Sequence, residues 1–192
     1  MVCPWWLGFA IDNPLRTLIH DPESILSPYV GSGSTVMDIG AGMGCFTIPL
    51  ARLVGPAGRV LAIDIQAGML ATVARKARAR GVSERIKPCL VSPYSLGSHP
   101  AADFILAFWV VHEVPDQRSF LEEVCGLLKP EGVFLLVEPL VHVAEKSFQR
   151  TVQTAVDAGL VVKGTPKIRL SRSVLLVRKE GASWSATLNP SC

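Results

Sequence analysis

No apolar run in this chain approaches the ~18 residues that a bilayer-spanning helix needs; the longest, FILAFWVV at 104–111, has the length of a strand. The opening MVCPWWLGF carries no positive charge ahead of its apolar residues and no small-residue cleavage site, so a secretory leader is not expected. Cysteine is sparse. Cys3, Cys45, Cys89, Cys125 and Cys192 are odd in number and include no close pair of the kind that holds a metal or forms a redox motif. They predict a reducing, cytoplasmic setting with no metal site, and Cys45, Cys89 and Cys125 read as small core residues. Charge is low as well: Asp, Glu, Lys and Arg make up 18% of the chain and the net charge is +3, too little to argue for a nucleic-acid or membrane partner. There is no repeat or low-complexity block, and 192 residues leave room for one α/β domain and little more.

What the chain has is an alternation of strand-like and helix-like segments. Asp21 and Pro22 suit the N-cap and first position of a short helix that stops near Pro28. Strand 35–39 then leads to helix 45–54, strand 59–63, helix 66–80, strand 86–91, strand 103–109, helix 117–128, strand 132–138 and helix 144–158. The strands are continuously apolar, which predicts a doubly wound, mostly parallel sheet covered on both faces. GLVVKGTPKIRLSRSVLLVRK at 159–179 holds two strand-like runs with no helix between them and so predicts a terminal antiparallel hairpin, the seventh strand completing the sheet. The expected organisation is an arm and helix over 1–32 covering the site, a binding domain over 33–180 and a tail over 181–192.

VMDIGAGMGCFT, at 36–47, places Asp38 two residues before Gly40, with Ala41, Gly42 and Gly44 following between a strand and a helix. Such a turn lets a ligand reach bare backbone and is expected to aim N–H groups of the helix start at it. Asp64 ends the second strand, where a carboxylate can accept from ribose hydroxyls. The two features point to an adenosine-containing cofactor, either a nicotinamide dinucleotide or S-adenosylmethionine. Cys45 stands where the dinucleotide fingerprint needs Gly or Ala, and Asp38 would repel a pyrophosphate but suit an ammonium and a sulfonium.

VMDIGAGMG, VLAIDIQAGML, LKPEGVFLLVEP and the hairpin together resemble the class I S-adenosylmethionine-dependent methyltransferases, in the small-molecule branch similar to ubiquinone-biosynthesis methyltransferases. The resemblance covers about residues 33–180 and implies a Rossmann-like fold with S-adenosyl-L-methionine as cofactor. It implies that Asp38, Gly40 and Gly42 line the methionine end, with Ala41 and Gly44 in the same turn. Asp64 would hold the ribose, and Ile65 and Met69 would flank the adenine. The family's acidic reader of the adenine amine is replaced here by Ser92, so a hydroxyl, backbone or stacking would hold that base.

Methyl transfer from a sulfonium needs alignment and water exclusion more than a nucleophilic residue, and a base helps only if the acceptor must lose a proton. AFWVVHEVPDQ places Phe108, Trp109, His112 and Glu113 at or beyond the end of the fourth strand. His112 is the candidate base, with Glu113 orienting it; the alternative is that the pair braces the following helix. Glu138 and His142 reach the same rim after the fifth strand, as acceptor contacts or as a surface pair. Trp5 and Trp6 are candidates for a lid over the acceptor, against a plain hydrophobic anchor. Arg75, Lys76, Arg78 and Arg80 read as a solvated helix face.

The expected activity is therefore methylation of a small-molecule acceptor, with homodimerisation left open. Its rivals are a catalytically silent cofactor-binding subunit, an NAD-binding protein and a nucleic-acid methyltransferase. The last of these lacks an Asn-Pro-Pro-Tyr-type motif after the fourth strand.

Overall fold

The computed structural model describes residues 20–179; Trp5, Trp6 and Cys3 lie outside the described residues. Helix α1 (Pro22–Leu26) starts where Asp21 caps it by accepting from the Ser24 N–H. The sheet strands are β1 (Thr35–Ile39), β2 (Arg59–Asp64), β3 (Ile86–Leu90), β4 (Ala102–Phe108), β5 (Leu128–Pro139), β6 (Leu160–Gly164) and β7 (Ser171–Arg178). Helices α2 (Thr47–Leu53), α3 (Ala67–Ala79), α4 (Gln117–Leu127) and α5 (Glu145–Asp157) connect them. The spatial order is β3-β2-β1-β4-β5-β7-β6, with β1 to β5 parallel and β7 antiparallel to both its neighbours. None of the helices among the described residues is long and apolar enough to cross a membrane.

Continuous apolarity in the central strands has the predicted cause. Val36, Phe104, Leu106 and Leu135 point into a core formed with α2 and α3, while Met37, Ile105, Phe134 and Leu136 point into the opposite core formed with α4 and α5. Both faces of the sheet are thus dry, and a polar residue on β1 or β4 is tolerated only at the strand ends.

One segment differs from the sequence expectation. Residues 129–131, which fall between the expected helix 117–128 and strand 132–138, lie inside β5, which begins at Leu128 directly after α4. The extra residues are absorbed by a register shift between the Ala102–Leu128 and Phe104–Val133 pairs. Lys129 anchors the shift by donating to both oxygens of Asp103, one of which also accepts from the Thr35 N–H at 2.8 Å. The terminal hairpin is present as expected, with its second strand, β7, inserted next to β5 and β6 at the edge.

The turn after β1 is shaped by Gly40, at φ +71°, where a Cβ would sit 2.8 Å from Val110 Cγ2. Gly33 has a similar φ of +85° with nothing within 4 Å of its would-be Cβ. Alanine at Gly33 is expected to cost only the left-handed backbone, about 1–2 kcal/mol. Gly40→Ala should lower the melting temperature by several degrees more, because Val110 must also move. Calorimetric melting of the two variants checks this, and equal losses would remove the Val110 contact as a cause.

Candidate active site

A cavity of about 920 Å³ opens at the carboxyl ends of β1, β2 and β4. Asp38, Gly40, Ala41, Gly42, Asp64, Ile65, Met69, Ser92, Phe108, Trp109, His112, Glu113 and His142 all line it. The convergence follows from topology: β2 and β4 flank β1, so everything that leaves the tops of these strands meets there.

At the β1 end, the buried Asp38 accepts a 2.5 Å hydrogen bond from the Thr47 hydroxyl in the first turn of α2. Nothing in the local sequence singles out Thr47, yet it fixes the orientation of Asp38. Four amides of the glycine turn have partners inside the protein. The amides of Gly40 and Ala41 donate to the Ile63 carbonyl at 2.9 and 3.1 Å, Gly42 donates to Asp64 Oδ2 at 2.9 Å, and Gly44 donates to the Ala41 carbonyl at 2.9 Å. These four donors are spent inside the protein and are not offered to a phosphate. Gly44 is displaced from its expected role. It is absent from the cavity wall, and its would-be Cβ faces Val73 and Ile48.

Asp64 is clamped by two backbone donors, Gly42 to one oxygen and Gln66 to the other, each at 2.9 Å. Burial pushes its carboxyl above the usual carboxylate range, and these amide bonds pull it part of the way back. Each oxygen keeps a second lone-pair direction for a ligand.

At the β4 end, Phe108 packs against Phe46 with ring centroids 4.2 Å apart, and His20 meets both Phe108 and Trp109 edge-on at 5.2 Å. Trp109 takes a left-handed backbone, φ 62°, uncommon for an aromatic residue, and its indole N–H donates to Ser171 Oγ at 3.0 Å. The chain then enters a 3-10 turn at Val111–Glu113.

His112 is gripped twice by Glu138. Its backbone N–H donates to Oε1 at 2.8 Å, and its ring Nδ1 bonds Oε2 at 2.6 Å. The carboxylate therefore assigns the proton to Nδ1, which leaves Nε2 as the nitrogen open to a substrate. The bond from Glu138 raises the imidazole pKa above its ordinary value; partial burial opposes the rise, and the charges of Glu138 and Glu113 add to it. Glu138 is 1% exposed, lies behind His112 and does not line the cavity, whereas the side chain of His112 is 28% exposed. Two expectations change as a result. Glu138 contacts the imidazole rather than an acceptor, and the orienting carboxylate is Glu138 rather than Glu113, which lines the cavity one residue on. The His142 ring lies parallel to that of His112, with centroids 6.5 Å apart.

Residues 31–167 match the methyltransferase-domain family. Among curated proteins, the chain is 34% identical over 113 residues to a ubiquinone biosynthesis O-methyltransferase of Paramagnetospirillum magneticum, a match covering 59% of this chain and 43% of that protein. It is 30% identical over 113 residues to a demethylmenaquinone methyltransferase of Lactobacillus johnsonii, covering 57% and 45%. The chain thus spans about half the length of the curated relatives it matches. A SAM-dependent methyltransferase from Aquifex aeolicus superposes with a TM-score of 0.83 at 24% identity, over 92% of this chain and 100% of that one. The [4+2]-cyclase SpnF superposes with a TM-score of 0.70 at 17% identity, over 82% and 79%, so the shared fold alone does not fix the chemistry. The family match covers the glycine turn, Asp64 and the His112–Glu138 pair in one stretch: this chain belongs to the methyltransferase-domain family, with the class I S-adenosylmethionine-dependent fold.

Proposed function

We propose that the chain is an S-adenosylmethionine-dependent methyltransferase that acts on a small aromatic hydroxyl compound. The observation that carries the cofactor assignment is the charge of the cavity wall. Asp38, Asp64, Glu113, Asp116 and Glu123 line it, and among the described lining residues there is no Lys or Arg. Such a wall suits a cofactor with an ammonium and a sulfonium and opposes a pyrophosphate, which the spent amides of the glycine turn also fail to cradle. Asp38, held by Thr47, is placed for the methionine end, and Asp64 for the ribose hydroxyls.

When bound, the cofactor supplies a methyl group activated on sulfur for in-line displacement. Phe46, Phe108 and Trp109 offer flat apolar surface for an aromatic acceptor and exclude water from that end of the cavity. His112 Nε2 takes the hydroxyl proton, and Glu138 on Nδ1 stabilises the resulting imidazolium. The acceptor class is supported by this aromatic wall beside a base, and by relatives named for ubiquinone and menaquinone biosynthesis.

Titration calorimetry is expected to show micromolar binding of S-adenosylmethionine or its demethylated product and no binding of NAD; tighter NAD binding would reverse the cofactor assignment. Incubation with a labelled methyl donor and a panel of catechols, hydroquinones, amines and thiols should label the aromatic hydroxyl compounds. Label confined to amines or thiols would overturn the acceptor class.

A further inference from the structure

We infer that Glu123, on α4, reads the 6-amino group of the cofactor's adenine, a role for which the loop after β3 supplies no carboxylate of its own. The inference rests on the S-adenosylmethionine reading above.

An adenine edge presents one donor, the amine, next to an acceptor, the ring nitrogen N1. Specific reading of the amine needs an acceptor fixed in the wall. The loop after β3 brings three hydroxyls to that wall; Ser92 Oγ already accepts from the Tyr94 N–H at 3.2 Å, Ser95 Oγ from the Gly97 N–H at 3.1 Å, and the third belongs to Tyr94, which is 74% exposed. Pro93 has no N–H at all. The loop carries no carboxylate between Val91 and Pro100.

A carboxylate reaches it from elsewhere. Glu123 Oε2 accepts the Leu96 N–H at 2.6 Å and the Ser95 hydroxyl at 3.2 Å, so the side chain is tied to the loop rather than left to sweep through solvent. Both bonds use the same oxygen, and the other, Oε1, takes neither. Glu123 and Phe120, one helical turn apart on α4, line the cavity together with Ser92, Leu96 and Ile65, the residue following the ribose-binding Asp64. A fixed acceptor oxygen thus stands at the cavity wall on the side where the base must lie if Asp64 holds the ribose.

Replacement by glutamine discriminates reading from mere tethering. In Glu123→Gln the side-chain carbonyl would keep the Leu96 bond, while the amide nitrogen would place a donor where Oε1 had been an acceptor, and a donor matches the 6-oxo group of hypoxanthine instead of the amine. Binding of S-adenosylhomocysteine and of its hypoxanthine counterpart, S-inosylhomocysteine, is measured by calorimetry on the full chain and on Glu123→Gln and Glu123→Ala. The wild type is expected to prefer the adenine compound by about tenfold or more. Glu123→Gln should erase or invert the preference, and Glu123→Ala should weaken it. A role in loop tethering alone would lower both affinities and leave their ratio unchanged, and that result would overturn the inference. So would a wild type that binds both compounds equally. A wild type that binds neither would overturn the cofactor reading and this inference with it, which separates the two failures.

Discussion

Replacing His112 by alanine is expected to lower turnover by roughly a hundredfold or more while leaving cofactor affinity nearly unchanged, the usual scale for removing a positioned general base. The pH dependence tests the assignment more sharply. Only neutral imidazole accepts a proton, so the wild-type rate should rise with pH through a value above that of an ordinary histidine, because Glu138 raises the folded-state pKa. Glu138→Gln removes the charge that sustains the rise and should shift this acidic limb toward lower pH, with reduced turnover on the plateau. Stability has its own sign. A histidine whose pKa is raised on folding contributes stability in full below its unfolded-state pKa, and that contribution fades as pH climbs through the folded-state value. His112→Ala should therefore destabilise the fold most under mildly acidic conditions and least under alkaline ones. If turnover per folded molecule holds in His112→Ala while the melting temperature falls, the histidine only braces the turn before α4, and the base assignment is lost.

The structure explains why the sequence can place His112 and Glu138 on one rim and yet leave them mispaired. That β4 and β5 end side by side follows from an alternating parallel topology, and the register sets Phe108 against Val137, so the residues just beyond become neighbours. Which carboxylate holds the ring depends on the 3-10 turn at Val111–Glu113, which no periodicity announces. Glu113 is adjacent in the chain but points its side chain to the cavity wall, while Glu138, 26 residues away, closes a two-point clamp. The same limit hides Thr47 and Glu123, whose partners Asp38 and Leu96 are set by packing across elements. Local signals are legible. Asp21 caps its helix, the apolar strands pair in parallel, and Asp64 arrives at the cavity, because each depends on its own segment and on one neighbour. The glycine run misleads in one respect. Gly40 and Gly42 line the cavity, whereas Gly44 is turned toward Val73 of α3.

Asp64→Ala is expected to weaken cofactor binding by at least about 1.5 kcal/mol, more than tenfold, since hydrogen bonds to a charged group each contribute ~1.5–3 kcal/mol. The effect on the fold should be small, for two opposing reasons. The carboxylate ties Gly42 and Gln66 together through their amides, and losing it frees two donors, but both residues line the open cavity, where water can satisfy them. Against that loss, the buried carboxylate itself costs stability in its ionised form. Its pKa is raised mainly by desolvation, so the cost is present above the folded-state pKa, declines as pH falls through it and is gone below the unfolded-state value. Alanine removes the cost together with the bonds. Cofactor affinity carries a matching signature: the ionised carboxylate accepts from ribose hydroxyls, and its protonated form surrenders an acceptor site, so wild-type affinity should fall as the solution is acidified through that raised pKa. The alanine variant should lack this part of the fall. Asparagine is no conservative replacement, because its amide must set a donor against the Gly42 or the Gln66 N–H, and it should bind cofactor no better than alanine does. Calorimetry at three pH values on the three proteins decides the matter. An Asp64→Ala affinity equal to the wild type at neutral pH would take Asp64 out of the ribose site and reduce it to the clasp of the glycine turn.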